Sequence, residues 1–194
     1  MDDSKSRINA EDAVILFADL QLGIAELSKT TPLDRLKKGV LALAKLAKLF
    51  AIPVVVSGIA GEDGSPAKVI AEIGEGLGTL PTHHRTTCDS LLNREIRAAI
   101  ESTGKRTLLI SGVATELAVQ LPALTASDLG YRVYVVIDAC GGISERTEQA
   151  ALMRMAHAGV TPVSIMTLAG EVAGELTTAR AQQAIGILFS MAAS

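Results

Sequence analysis

Asp19 follows the apolar run Val14-Ile15-Leu16-Phe17-Ala18. A carboxylate at the mouth of a buried strand is partly desolvated, a setting that suits it to proton transfer, although an Asp in such a place also serves to cap a loop or pair with a lysine. Residues 112–119, Gly-Val-Ala-Thr-Glu-Leu-Ala-Val, read as a turn from strand into helix. With Thr115 as N-cap, Ala118 falls at the third helical position, where free backbone N–H groups and the positive end of the helix dipole favour an anion. A cysteine there would be acidified and would lie beside ready-made oxyanion donors. Alanine has no such chemistry, and by itself Ala118 reads as a good helix former. The third group is His83-His84-Arg85, with Cys88 three residues on.

These groups need a frame that brings them to one edge. Apolar, β-rich runs at 13–17, 53–57, 107–111, 133–137 and 162–166 alternate with helical stretches, the pattern of βαβ units around a parallel sheet. The runs are continuously apolar, as strands covered on both faces must be. The expectation is a single α/β domain over residues 1–194, a three-layer αβα sandwich with a mostly parallel, Rossmann-like sheet. Helices are expected at 33–50, 115–129 with a kink at Pro122, 145–157 closed by Gly159, and from Leu168 to the terminus. Residues 179–193 are more apolar than one exposed helix face needs, which points to docking or a subunit interface. Residues 61–66 read as a loop, and Gly74-Glu75-Gly76-Leu77-Gly78 as a flexible loop rather than a nucleotide-binding turn, since no Gly-Lys-Ser/Thr follows. In open parallel sheets ligands bind beyond the carboxyl ends of the strands, where Asp19, His83–Arg85 and 112–119 all fall.

Composition narrows the function. A formal net charge of -3, no basic block and no tryptophan give no footprint for DNA or RNA. Met1-Asp2-Asp3-Ser4 does not open a signal peptide, and no apolar run approaches the ~20 residues that span a bilayer, so a cytoplasmic protein is expected. Cys88 and Cys140 fit neither a disulfide framework nor a zinc spacing, and His83, His84 and His157 make a poor ligand set; no metal and no cofactor are expected.

Taken together, Asp19-Leu20-Gln21, a basic residue ahead of Cys88-Asp89-Ser90-Leu91, and Gly112-Val113-Ala114-Thr115-Glu116-x-x-Val119 resemble the isochorismatase-like cysteine hydrolases, which include nicotinamidases and other amidohydrolases. The resemblance covers nearly the whole chain. The segments Pro122–Ala126, Val135–Ala139 and Met153-x-Met155-x-x-Ala158-Gly159-Val160 are most similar to the YcaC-type hydrolases of unassigned substrate. It implies Asp19 as proton shuttle, a basic partner at Arg85 or at His84, and a nucleophilic cysteine whose place is taken by Ala118. It also implies an oxyanion hole from the backbone N–H groups of Ala114 and residue 118, a cis peptide at Val113-Ala114, Gln21 and His84 at the substrate, and a homo-oligomer acting on a small carbonyl compound. Arg departs from the family's lysine, because its planar fork and fixed charge differ from an ammonium. Ala118 departs further, since without a thiol no thioester forms. Three explanations stand: an introduced replacement of a native cysteine, a non-covalent hydrolase, or a silent homologue that binds a small molecule or only assembles.

Overall fold

The structure, a computed structural model, describes residues 7–192; Met1–Ser4 and Ala193 lie outside them. Six strands form one sheet: β1 (Ala13–Ala18), β2 (Val54–Gly58), β3 (Thr82–His84), β4 (Thr107–Gly112), β5 (Arg132–Val136) and β6 (Thr161–Val163), in the order β3-β2-β1-β4-β5-β6. Every pairing is parallel. The chain winds outward from β1 through β2 to β3, then returns to β4 on the other side of β1, so the order reverses between β1 and β4. That reversal opens a crevice at their carboxyl ends.

Alternation along β1 divides the core. Ala13, Ile15 and Phe17 face one layer, and Val14, Leu16 and Ala18 the other. The first layer holds α1 (Leu33–Leu49), on which α2 (Ala71–Leu77), α6 (Ile165–Ala173) and α7 (Ala179–Ala192) pack. The second holds α3 (Arg94–Glu101), α4 (Gln120–Asp128) and α5 (Glu145–His157). This is the expected three-layer α/β sandwich.

Several elements differ from the sequence reading, each for a local reason. The glycine-rich stretch 74–78 is mostly helix: Gly76 is buried, and a Cβ there would run into Ala44 of α1, so Gly76 lets the two helices pack closely. Lys37 and Lys45 of α1 reach across to Glu72 and Glu75 of α2 at 3.5 and 3.6 Å. β6 ends at Val163 instead of running to Met166. Ser164 caps a new helix by accepting from Thr167 N–H, and the Asp138 carboxylate takes the Ile165 N–H at 2.9 and 3.1 Å. The C-terminal helix is two helices, separated at Gly174 and restarted where Thr178 Oγ1 accepts from Ala181 N–H. His83 and His84 belong to a short polar edge strand, and α3, capped by Asn93 Oδ1, was not anticipated. The bend expected at Pro122 appears as a change of helix type: a π turn over Thr115–Val119 precedes α4. Pro122 has no N–H to return to the Ala118 carbonyl, so the turn before it widens.

At the opposite edge, Asp12 fastens three strand starts. Its carboxylate accepts from Arg132 Nη2 at 2.7 Å, Thr107 Oγ1 at 3.1 Å and Arg106 N–H at 3.2 Å. Burial opposes the charge, but these partners together hold its carboxyl below the usual aspartate range. A depressed folded-state pKa contributes stability above the unfolded value that is lost as pH falls through the folded value. Asp12→Asn is therefore expected to cost about 1 kcal/mol in urea unfolding at pH 7, discounted for partial exposure, with the deficit shrinking as the pH is lowered below about 4.

Candidate active site

Asp19 is the first residue past β1. Its backbone sits in the left-handed region at φ 55, its N–H bonds to Ser57 C=O at 3.0 Å, and its own C=O accepts from Gln21 N–H at 2.8 Å. In this turn the residue is taken out of water and is 1% exposed. A carboxylate buried this deeply demands a partner. Arg85, immediately after β3, supplies it: Nε donates to both Asp19 oxygens at 2.9 Å, Nη2 donates to Oδ2, and Nη1 donates to Thr87 C=O at 2.7 Å. The Arg85 side chain is itself only 8% exposed. Hydrogen bonding to Asp19 raises the guanidinium pKa above its already high value, against desolvation, with the Cys88 sulfur adding in the same sense. Of the two basic residues that the sequence left open, Arg85 meets Asp19. His84 lies in β3 opposite Gly58, its Nδ1 buried without a hydrogen-bond partner.

The loop carrying Arg85 is held from both sides. Its backbone N–H bonds to Gly58 C=O at 2.9 Å, and Asn93 Nδ2 donates to His84 C=O at 2.9 Å. Asp89 accepts from Leu91 N–H through Oδ1 at 2.9 Å and from Thr125 Oγ1 of α4 through Oδ2 at 2.5 Å. Asp89 and Thr125 lie in segments that carry the family resemblance but were given no role there, and Thr87 was not singled out; the Asp-Ser-Leu-Leu-Asn run, with its Asx turn, was the available signal.

Position 118 lies across the crevice. Gly112 lets β4 approach β1, since a Cβ there would collide with the Ala18 backbone. Beyond it the Val113-Ala114 peptide is cis, as the resemblance implies. The capping expectation needs correction: Ala114 is the N-cap and has no side-chain cap bond, while Thr115 is the first helical residue and donates through Oγ1 to Glu148 Oε1 at 2.7 Å. Ala118 is then the fourth position, not the third. It is 3% exposed and belongs to the same apolar cluster as Ala18, Val119 and Cys140. Glu116 Oε1 accepts from Ile143 N–H at 2.9 Å and Thr147 Oγ1 at 2.6 Å, tying the π turn to the loop after β5 and to the first turn of α5.

Other expected participants are placed differently. The Gln21 amide is spent on the loop after β2: Nε2 donates to Ile59 C=O at 3.1 Å and Oε1 accepts from Ile59 N–H at 2.8 Å. It acts as a clamp between two loops. Burial pushes the Cys140 thiol up to about 12, which makes it inert as a nucleophile, whereas Cys88 is exposed. Among the described residues no three His, Cys, Asp or Glu side chains converge in a metal-binding group. Clefts of about 410 Å³, beside Thr30, Arg35 and Asp138, and about 490 Å³, between Lys48 and Gln183, open on the α1–α7 side and do not reach Asp19, Arg85 or Ala118.

Chemically, the crevice offers a fixed carboxylate–guanidinium pair at the end of β1 and, after β4, a helix start whose fourth residue is Ala118. The chain is 35% identical over 154 residues to the probable hydrolase YcaC of Escherichia coli, covering 79% of this chain and 74% of that protein. A solved Escherichia coli YcaC structure, described as an octameric hydrolase of unknown specificity, superposes with a TM-score of 0.84 at 31% identity, over 96% of this chain and 89% of that one. Pseudomonas aeruginosa YcaC, solved with hexane-2,5-diol and covalent acrylamide, gives 0.87 at 30% identity, over 96% and 94%. The isochorismatase domain model matches residues 13–167, and the chain belongs to the isochorismatase domain family.

Proposed function

We propose that this chain is a hydrolase-fold protein that receives a small carbonyl compound between Asp19 and position 118, and that its cysteine-bearing form cleaves a C–N amide bond. The observation that carries the reading is the Arg85 fork on both oxygens of Asp19, at the switch point and next to the helix start that carries residue 118. A thiol at 118 would pass its proton to the carboxylate and attack the carbonyl carbon. The backbone N–H groups of Ala114 and residue 118 would stabilise the oxyanion, the protonated Asp19 would return the proton to the leaving amine, and water would then hydrolyse the thioester left on residue 118, releasing the acid and restoring the thiol. With Ala118 the first bond cannot form, so the chain as it stands binds without covalent turnover. Homo-oligomeric assembly is part of the proposal, supported by the octameric relative, and so is a cytoplasmic location. Among the described residues no helix is long and apolar enough to cross a membrane.

A second reading, a non-catalytic binding or assembly protein, is favoured by one observation: Asp19 and Arg85 seal each other from solvent, their side chains 2% and 8% exposed. Ala118→Cys separates the two. The hydrolase reading expects Ala118→Cys, in a Cys88→Ser background, to carry an acrylamide adduct on residue 118 by peptide mass mapping. It also expects kcat/KM on at least one member of a panel of small amides to rise at least about 10³-fold over the parent. No adduct and no turnover would leave the binding reading standing.

The pair itself makes a separate prediction. Arg85→Met strands a buried carboxylate and is expected to cost about 3–5 kcal/mol in urea unfolding, while Asp19→Leu with Arg85→Met recovers most of that loss. A single variant as stable as the parent would show that the pair is not desolvated.

A further inference from the structure

The helix α7 leaves a groove where it lies on α1. It buries Ala181 and Ala184 and packs Leu188 and Met191 against the core. Along its next stripe, Gln183, Gly186 and Ile187 stand over Lys45, Lys48 and Leu49 of α1, and the cleft of about 490 Å³ lies between them. Gly186 is one reason for the opening, since a Cβ there would meet nothing within 4 Å. The cleft continues into an apolar waist of about 40 Å³ at Leu41, Ala42 and Met191, and the two share Lys45, Ile187 and Ser190. From Lys38 to Leu49 the groove follows α1 for about 16 Å at the rise of a helix. A mostly apolar cleft with a few polar groups at its rim has the build of a small-molecule site.

The charge along this groove has one sign. No Asp or Glu lines the cleft or its waist, and α7 carries Arg180 but no acidic residue. Arg180 lies over the Phe50 ring at the end of α1, 5.9 Å from its centre. Lys45 meets Glu75 of α2 in an exposed pair at 3.6 Å, and Lys48 makes no ion pair among the described residues. Lysine stems lie along apolar surface while their ammonium groups stay in water, so Lys45 and Lys48 border the apolar floor with positive charge. A helix is about 10 Å across with its side chains, too wide for the waist, whereas an unbranched aliphatic chain passes through it. We infer that the α1–α7 groove binds an anionic amphiphile, a free unbranched carboxylate whose head meets Lys48 and the Gln183 amide and whose tail runs along Ile187, Leu41 and Met191. The site is separate from the crevice and independent of the reading given to it, since neither the cleft nor its waist reaches Asp19, Arg85 or Ala118.

Isothermal titration calorimetry of the full chain with dodecanoate and octanoate, each below its micelle concentration, tests the proposal. One saturable site per chain is expected. Full burial of a methylene is worth about fourfold in affinity and a groove open along one side about twofold, so octanoate is expected to bind about 16-fold more weakly than dodecanoate. Lys48→Glu is expected to weaken dodecanoate at least about fivefold, and dodecyltrimethylammonium to bind the parent at least about tenfold more weakly than dodecanoate does. Gly186→Leu fills the cleft at an exposed position; it is expected to weaken dodecanoate at least about tenfold and to melt no lower than the parent, because leucine is the better helix former. Lys48 is exposed, so Lys48→Glu tests the head group even where Gly186→Leu does not fold. The proposal is overturned by a parent without a saturable site, by equal affinities for the two acids or for the cationic amphiphile, or by a folded Gly186→Leu or Lys48→Glu variant that binds as the parent does. Sedimentation with phosphatidylserine vesicles in the absence of a saturable dodecanoate site would assign the groove to a membrane surface and overturn the free carboxylate.

Discussion

A carboxylate taken out of water at the end of β1 governs how this molecule is built around its crevice. Burying Asp19 alone would cost several kcal/mol, and the attraction of a counter-charge offsets that only when the geometry is good and the remaining donors are satisfied. Arg85 meets both conditions, with its fork across Asp19 and its last nitrogen on Thr87 C=O. Everything else near the site keeps that alignment. Asp19 needs its left-handed turn, held through Ser57 and Gln21; Arg85 needs the edge strand against Gly58 and the loop pinned by Asp89 to Thr125. Gln21 adds a clamp between the loop that carries Asp19 and the loop after β2 by bonding Ile59, the residue after Gly58, whose carbonyl in turn holds the Arg85 N–H.

Burial on both faces made the central strands legible. β1, β4 and β5 are apolar because helices cover both sides, and continuous runs are hard to mistake when punctuated by glycine and by amphipathic helices. β3 was hidden for the converse reason: Thr-His-His at an edge carries no apolar pattern, and its strand character comes from pairing with β2. The glycines of α2 misled in the same way. Propensity argued against a helix, while contact with Ala44 of α1 required one. β6 ran short because Asp138, distant in sequence, captures the Ile165 N–H and starts a helix inside an apolar run.

The site was legible in its residue types and not in its contacts. Asp19 at a strand mouth and 112–119 at a strand-to-helix turn follow from local sequence, and the reversal of strand order between β1 and β4 brings them together. The choice between His84 and Arg85 depended on register. One residue of offset in an edge strand sends a side chain to the opposite face, and β3 pairs so that His84 stands opposite Gly58 while Arg85 begins the next loop. Gln21 was expected at the substrate from the family resemblance, yet its donor and acceptor are both bonded to Ile59.

Retention of Asp19 and Arg85 alongside Ala118 has a physical reading that does not depend on catalysis. Once a buried ion pair is established, loss of either partner leaves an uncompensated charge, whereas loss of a small apolar or weakly polar side chain costs far less. Position 118 sits in a buried apolar cluster with Ala18, Val119 and Cys140. A change of side chain at position 118 therefore leaves the charged pair in place at little energetic cost. The pair thus testifies to the architecture of the crevice and not, by itself, to a reaction carried out there.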